Sequence, residues 1–390
     1  MDWLIFGDDY AAHPSTTQHL VRGLPATDRV VWVDSIGMRR PRLTRADSER
    51  IWGRIKRVSA GALRRAPAVA GDDLAAPRHA NRTDAPAVGP TVSVVRPTVL
   101  PWHDRTLARV VNRAALGVVI RRHLSTLGIQ RAHAVLANPL AYPYIEGLPI
   151  DRVGYLRLDD YPRLPGVDAD LVAPADERLL RSADLVFGTA RALLPPEGWA
   201  RKAPVYLPQG VDARHFASVP FREGGPKVLG FFGLLAEWLD SELIGVVADA
   251  NPEWTLEFRG PVRHWSAELD ARPNIHRLPG VPYAELPLAL SGWWAAWIPF
   301  AITDLTRGVN PLKLREYLAA GFPTASTPLP EVLSLGEDVA VTPTAAAVTE
   351  FLAAAERDDL RQRAHRKEAM LAHDWTARAT VLRQAFGATP

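Results

Sequence analysis

The chain of 390 residues is long enough for two domains, and its 47% hydrophobic and 23% charged residues are typical of a globular protein. It contains no cysteine, which excludes disulfide bonds, thiolate metal sites and a cysteine nucleophile. The net charge of +3 does not favour nucleic acid as a partner, and no apolar run approaches the roughly 20 residues of a spanning helix. Residues 1–7 lack the basic start and cleavage site of a secretory signal, so we expect a cytoplasmic protein.

The first half of the chain predicts one parallel sheet. Apolar runs at 3–7 and 30–34 predict buried strands, and a helix of about ten residues from Thr16 lies between them. Strand, helix, strand is the pattern of a doubly wound α/β domain. We therefore expect one such domain over 1–208, with further strands at 92–95, 133–137, 153–157, 184–188 and 205–208, and helices at 104–127 and 175–182.

An insertion at 39–91 interrupts this domain. Its first part, 39–65, holds ten basic residues against two acidic ones, with Ile51, Trp52 and Ile55 near helical spacing. Two interpretations stay open: an amphipathic segment in peripheral contact with an anionic membrane, at its inner face, or a solvated surface helix. Residues 66–91 are rich in Ala, Pro, Asp and Gly and predict a loop.

The pattern restarts after a break at 209–226, which we interpret as a linker because it lacks an apolar period. Residues 227–372 predict a second Rossmann-like domain, with strands at 227–233, 254–258, 275–278, 293–298 and 324–326, and residues 344–356 and 358–386 predict helices. Open parallel sheets bind ligands beyond the carboxyl ends of their strands. Two such domains facing each other predict a deep cleft.

One helix of the second half has both ends marked. Asn310 is a favourable N-cap, Pro311 suits the first helical position, and Gly321 and Pro323 are stop signals. Lys313 in the first turn favours anion binding through its charge, the free N–H groups and the helix dipole. Glu316 lies three residues on, on the same side, where a carboxylate can accept bonds from sugar hydroxyls. The alternative is an ordinary capped helix with an ion pair.

Several stretches resemble two-domain GT-B nucleotide-sugar glycosyltransferases. They are GFFGLLAEWLD at 230–240, NIHRLPG at 274–280 with the PYAEL that follows, and YLPQGVD at 206–212. The stretch 309–323 is similar to the donor motif of bacterial polysaccharide glycosyltransferases of the teichuronic acid type, and of the xanthan-type glucuronosyltransferase. The resemblance implies a GT-B fold, two Rossmann-like domains facing across a cleft, with residues 373–390 crossing back to the first domain.

The resemblance also implies a donor site in the second domain. Gly233 would approach the diphosphate, Lys313 would neutralise it and Glu316 would bind the ribose. Tyr283 would pack on the base, and Trp238, in a turn, would stack on the sugar. The full set of donor-binding candidates is Gly233, Trp238, Arg259, Tyr283, Asn310, Lys313 and Glu316. The donor implied is a UDP-sugar and the acceptor a glycan or lipid-linked hydroxyl, with no metal and no other cofactor.

The catalytic candidates lie in the first domain. Retaining members of the commonest GT-B family carry two glutamates with seven residues between them, and the position that precedes Glu316 at this spacing is Gly308. This departure favours an inverting transfer, which needs a base for the acceptor proton. The candidates are Asp159, Asp160 and His13, each after a predicted strand. An Asx-type turn with Pro162 is the alternative for the two aspartates, and an ordinary loop residue for the histidine.

Two other functions use the same cleft. A GT-B sugar-nucleotide epimerase would convert its substrate without an acceptor. A non-catalytic sugar-nucleotide-binding protein would bind the nucleotide and release none. The sequence favours a glycosyltransferase of polysaccharide or cell-surface glycan biosynthesis over both.

Overall fold

The structure is a computed structural model and describes residues 1–12, 14–40, 89–220, 226–335 and 338–387. Most of the insertion and the greater part of the basic segment 39–65 lie outside these residues, so the membrane contact predicted there stays a prediction. Among the described residues, no helix combines the length and apolar character that crossing a membrane requires.

Seven parallel strands form the first sheet. Their residues are largely apolar because helices cover both faces of a parallel sheet. The strands are β1 (Asp2–Phe6), β2 (Arg29–Val33), β3 (Thr91–Val95), β4 (Ala132–Leu136), β5 (Ile150–Arg157), β6 (Leu185–Gly188) and β7 (Val205–Tyr206). Their order is β3-β2-β1-β4-β5-β6-β7. Each observed strand lies within a few residues of its prediction.

In the described part of the first half, the helices beside this sheet are α1 (Thr16–Arg22), α2 (Thr106–Thr126) and α3 (Ala169–Ser182). Side chains alternate between the two faces of a strand. Leu4 and Phe6 therefore join one apolar cluster, with α2 and α3, while Trp3 and Ile5 join another, with α1.

Six parallel strands form the second sheet. They are β8 (Val228–Phe232), β9 (Thr255–Arg259), β10 (Ile275–Leu278), β11 (Ala295–Ile298), β12 (Thr324–Ser326) and β13 (Ala340–Val341). Their order is β10-β9-β8-β11-β12-β13. Trp297 and Phe258 are among its large, fully buried side chains, so this half has its own core.

Helices surround the second sheet and continue beyond it. They are α4 (Ala213–Ala217), α5 (Ser241–Ala250), α6 (Leu286–Ala289), α7 (Asp304–Arg307), α8 (Leu312–Ala319), α9 (Pro330–Leu333), α10 (Ala345–Ala355), α11 (Leu360–Ala369) and α12 (Trp375–Ala385). The short α4 lies inside the predicted linker, so that segment is not structureless. It forms because Asp212 caps its first turn and Phe216 is fully buried.

The predicted helix at 358–386 is broken. A 3-10 turn at Met370–His373 separates α11 from α12, and the side chain of Asp374 caps the new helix through the Thr376 N–H. The break turns α12 onto α1, where Trp375 stacks on His19 with ring centroids 5.3 Å apart. Arg383 of α12 also bonds the fully buried carboxylate of Asp28, with Nε 3.0 Å from Oδ2. The end of the described chain thus packs on the first domain.

The strand order reverses at one point in each sheet. In the first sheet it reverses between β1 and β4, and in the second between β8 and β11. Parallel α/β sheets bind ligands beyond the carboxyl ends of the strands at such points. We therefore expect a ligand to bind at the loops after β1 and β8, which contain Asp8 and Gly233.

Candidate functional site between the two sheets

A cavity of about 230 Å³ opens beyond the carboxyl end of β8. The second domain provides most of its lining, and Pro14 and His19 of the first domain complete it. Five of the predicted donor residues line this cavity: Gly233, Arg259, Tyr283, Lys313 and Glu316. The structure therefore brings together residues that are up to 83 positions apart in sequence.

Lys313 lies in the first turn of α8 and packs against the turn after β8. Its Nζ lies 5.7 Å from the centre of the Phe231 ring. In the described part of the chain, no carboxylate lies within ion-pair distance of this ammonium group. Burial lowers the pKa of Lys313 below its ordinary value, and the nearby Glu316 acts in the opposite direction. A desolvated cation without a partner at a helix N-terminus is suited to bind an anion.

The turn after β8 has room for Lys313 only because residue 233 is glycine. A Cβ on Gly233 would lie 2.1 Å from Cε of Lys313, and its φ of 131° is one that other residues rarely adopt. Gly260 faces the same turn, and a Cβ there would lie 2.0 Å from the Gly233 carbonyl oxygen. Because both residues are glycine, the backbone at Gly233 can contact the Lys313 side chain and the backbone at Gly260. The same lack of side chains allows a bulky anion to approach the backbone closely.

Glu316 is 4% exposed and lies one turn after Lys313. Burial raises its pKa to about 7, against the lowering effect of Lys313, and Asp212 adds to the rise. The hydroxyl of Tyr283 is buried nearby and has no hydrogen-bond partner among the described residues. A ligand hydroxyl between these two groups would satisfy both of them.

Tyr283 differs from its prediction in one respect. Its ring is stacked on His215, with centroids 4.6 Å apart and planes at 17°, and lies 5.3 Å from the His19 ring. The ring expected to pack on a base is thus already stacked on a protein side chain. His19 itself was not predicted, and its Nε2 is buried without a partner in the described structure. Burial lowers its pKa to about 4, so the ring is neutral at pH 7.

Trp238 does not lie at the cavity. It is half-buried, its ring lies 6.4 Å from Phe300, and the guanidinium of Arg263 sits 4.8 Å above it. The predicted sugar-stacking role therefore has no support from its placement. Arg259 does line the cavity, where its guanidinium pairs with Glu257 at 3.0 Å.

Two carboxylates of the first domain lie close enough to influence each other's charge. Asp159 follows β5, and Asp8 follows β1 and bonds the side chain of Ser15. Burial, and then the charges of Asp8 and Asp160, raise the pKa of Asp159 to about 7. Among the described residues, Asp159 accepts no hydrogen bond, so the alternative of an Asx-type turn is not observed. The proximity of Asp8 was not predicted.

Asp160 is placed differently from its neighbour. Its carboxylate pairs with Arg163 and, at 3.6 Å, with Arg157. A Cβ on Gly308 of the second domain would lie 4.0 Å from the Cβ of Asp160, so the two domains meet closely at this point. His13, the third candidate, lies outside the described residues.

Comparisons with known proteins agree with this arrangement. No protein-family model matches the chain. It is similar to Anabaena HepE in complex with UDP and glucose, with 10% identity over 99% of each chain and a TM-score of 0.60. It is also similar to α,α-trehalose 6-phosphate synthase of Burkholderia multivorans, with 13% identity over 99% and 100% of the two chains and a TM-score of 0.56. The chain has the GT-B glycosyltransferase fold.

One curated protein resembles this GT-B chain in sequence. It is TuaH of Bacillus subtilis (strain 168), whose assignment as a teichuronic acid biosynthesis glycosyltransferase is itself provisional. The two are 34% identical over 113 residues, which span 28% of this chain and 28% of TuaH. The predicted resemblance to GT-B glycosyltransferases is thus confirmed in the fold and, over this shorter span, in the sequence.

The prediction that Asn310 caps a helix is wrong, whereas its contact with the donor stays a prediction. The residue that precedes the GT-B helix α8 is Pro311, and no side chain caps this helix. Asn310 instead points across the domain boundary, where its Nδ2 donates to the Thr189 carbonyl at 2.8 Å. Its Oδ1 accepts a bond of 2.7 Å from Arg315, which is 2% exposed. The cap is absent because the Oδ1 that would accept from the helix N–H groups accepts from the buried Arg315 guanidinium instead.

Glu331 also lies at the boundary between the two domains, within hydrogen-bond distance of Asn310. Its Oε1 accepts from the Arg191 N–H and its Oε2 from the Tyr206 hydroxyl, both at 2.5 Å. Arg191 and Tyr206 belong to the first domain, while Glu331, which is 3% exposed, belongs to the second. Buried charged hydrogen bonds across a boundary fix the relative position of the two sides.

We expect Glu331→Ala to lower the free energy of unfolding by about 2–4 kcal/mol, since it leaves buried donors without an acceptor. We also expect a higher donor KM, because the two walls of the cavity would be held less firmly. Urea unfolding and steady-state kinetics measure both effects. Glu350→Ala, at an exposed position of α10, is the matched control and should change neither. Equal stability of Glu331→Ala and wild type would contradict this role.

Proposed function

We propose that this chain is a glycosyltransferase that moves a sugar from a UDP-sugar to a hydroxyl of a glycan or lipid-linked acceptor, with inversion and without a metal. The observation that carries the proposal is Lys313 at the N-terminus of α8. It faces Gly233 in a cavity between two GT-B sheets and has no carboxylate partner among the described residues. Structures of HepE with UDP and with UDP-glucose support this nucleotide. The similarity to TuaH supports polysaccharide biosynthesis as the setting.

In this proposal the donor's diphosphate binds Lys313 and the free N–H groups at the start of α8. Glu316 and the Tyr283 hydroxyl bind the ribose hydroxyls, and Arg259 stands beside the phosphates or sugar. As the bond from the anomeric carbon to the diphosphate oxygen breaks, the leaving nucleotide takes the electron pair and gains negative charge. A fixed cation and oriented N–H groups stabilise that charge more than they stabilise the bound donor.

The acceptor hydroxyl attacks the anomeric carbon from the side of the first domain. Its proton must leave as the new bond forms, and Asp159 is the proposed base. A carboxylate whose pKa is raised to about 7 is a stronger base than an ordinary one, yet it is still ionised at slightly alkaline pH. The position that would hold an acid in a retaining relative is Gly308, which supports inversion.

A nucleotide screen followed by a turnover assay tests the function. We expect UDP, but not GDP, dTDP or CDP, to raise the melting temperature, by a stabilisation of about 2.7 kcal/mol when the ligand is at 100 times its Kd. With a UDP-sugar and a crude glycan or lipid-linked acceptor fraction, we expect released UDP and a product of inverted anomeric configuration.

The other outcomes separate the rival functions. Conversion of the UDP-sugar to an isomer without any acceptor identifies an epimerase. Binding of UDP with no turnover under any acceptor condition identifies a binding protein. If no nucleotide stabilises the chain at millimolar concentration, the donor site is wrong.

A further inference from the structure

The helix α2 is apolar on two opposite sides. Its inner side packs on the first sheet, where Leu116, Ile120 and Leu124 are buried. Its outer side leaves five large apolar side chains exposed, which is unusual for one surface helix. They are Leu107 (77% exposed), Val118 (68%), Val110 (48%), Val111 (45%) and Val119 (40%). These are five of the thirteen exposed large hydrophobic residues in the described chain, so exposed apolar side chains are concentrated on this helix.

The spacing of these residues places most of them in one stripe. Leu107, Val111 and Val118 follow each other at intervals of four and seven, which returns to the same side of an α-helix, and Val110 lies beside Leu107. We call these four residues the outer stripe, and Val119 lies about 100° further round the helix than Val118. At 21 residues, α2 extends for about 32 Å.

The charged residues of α2 itself are all arginines, although the exposed Asp104 precedes the helix and Glu146 lies beside Arg113. From Arg105 to the end of α2 there is no acidic residue, and five arginines lie along this stretch. Arg113 pairs with Glu146, and Arg121 donates to the Gly147 carbonyl at 2.8 Å. In the part of the chain that the structure describes, Arg122 has no carboxylate partner, whereas Arg105 lies beside the carboxylate of Asp104. These two arginines lie near opposite ends of the stripe and are exposed.

The occupant of this surface must therefore be apolar at its centre and negative at its rim. A second copy of the chain would bring the same arginines together, and like charges oppose that contact. Residues 41–88 of this chain carry ten basic residues against five acidic ones, so they are a poor match as well. An anionic lipid surface has both required properties, since it offers acyl chains beneath a layer of phosphates.

We propose that the outer stripe of α2 binds an anionic lipid bilayer, with the helix lying in the plane of the interface. The apolar side chains enter the boundary between headgroups and acyl chains, and Arg105, Arg121 and Arg122 contact lipid phosphates. This surface is distinct from the basic segment 39–65, and it does not depend on the donor cavity.

Vesicle flotation of the full chain tests the proposal. The probes are phosphatidylcholine vesicles and vesicles in which about one third of the lipid is phosphatidylglycerol. We expect binding to the anionic vesicles only. Leu107→Ser/Val118→Ser should reduce the partition coefficient at least about tenfold, because two apolar side chains no longer enter the interface. Arg121→Gln/Arg122→Gln should also reduce it about tenfold and weaken its dependence on salt.

The matched control is Leu288→Ser/Leu360→Ser, which removes side chains of similar exposure (70% and 57%) elsewhere on the surface. This variant should bind vesicles as the wild type does, and all variants should keep the UDP-dependent melting shift. Absence of binding to any vesicle overturns the proposal. So does unchanged binding of Leu107→Ser/Val118→Ser, which would assign the lipid contact to residues 41–88. A dimer in sedimentation that this variant dissociates would also overturn it, in favour of a second copy.

Discussion

Lys313→Ala is expected to abolish the UDP-dependent rise in melting temperature and to lower kcat/KM by about 10²–10³-fold. The physical reason is that Lys313 is the cation in the cavity for which the described structure shows no carboxylate partner, and it stands where the leaving diphosphate gains charge. Calorimetric titration with UDP and initial rates with saturating acceptor measure the two effects.

Two controls separate charge from packing at this position. Lys313→Met keeps an unbranched side chain against Gly233 and the Phe231 ring but removes the charge, so it should fold normally and lose UDP binding. Lys202→Ala removes an exposed lysine of the first domain and should have no effect. If Lys313→Met binds UDP as tightly as the wild type, the lysine only fills space and its proposed role is wrong.

Asp159→Asn is expected to lower the transfer rate by about 10³-fold while UDP binding is retained. The amide cannot accept the acceptor's proton, whereas the donor contacts lie on the other domain. In the wild type, the rate should rise with pH through about 7, because only the ionised carboxylate of Asp159 acts as a base. A pH–rate profile of each protein measures this, and the variant's residual rate should lack that rise.

The same substitution should stabilise the protein. The pKa of Asp159 is raised from 3.8 to about 7 in the folded state, so the folded chain binds a proton that the unfolded chain has already lost. Stability from this group is therefore greatest at low pH and falls as the pH rises from 3.8 to about 7. Asparagine does not ionise, so the folded state no longer has to hold a buried charge at this position. We expect Asp159→Asn to raise the free energy of unfolding by on the order of 1–3 kcal/mol at pH 8.

Asp160→Asn is the comparison that makes this prediction specific. Asp160 pairs with Arg157 and Arg163, so its substitution should lower stability and reduce the rate far less. Replacing a catalytic group that destabilises the fold raises the protein's free energy of unfolding, whereas replacing a structural group lowers it. Loss of stability in Asp159→Asn with an unchanged rate would show that the base lies elsewhere.

Local patterns in the sequence predicted most of the elements. Strand residues such as those of β11 (Ala295–Ile298) were predicted within two residues, because a strand buried on both faces needs a continuous apolar run. The helix break at Met370–His373 was missed, since its sequence Met-Leu-Ala-His contains no glycine or proline to mark it. That break depends on where α12 must pack.

The donor site was predicted where its signal is local. Lys313 and Glu316 share a helix face by their spacing alone, and Gly233 follows a strand that must end at the cleft. Asn310 carried an equally good local signal, yet its amide binds Thr189 of the other domain. Trp238 was placed in the correct turn, but a turn does not specify which way an indole points.

The sequence by itself thus determined two parallel α/β sheets, the helix that opens on the cleft and the cation at its start, because each depends on residues close together in the chain. Only the tertiary structure decided which side chains meet from distant segments. It placed Asp8 beside Asp159, set His19 in the cavity wall, and left the outer stripe of α2 uncovered. Burial and charge at these positions depend on contacts between segments that the local pattern of residues does not encode.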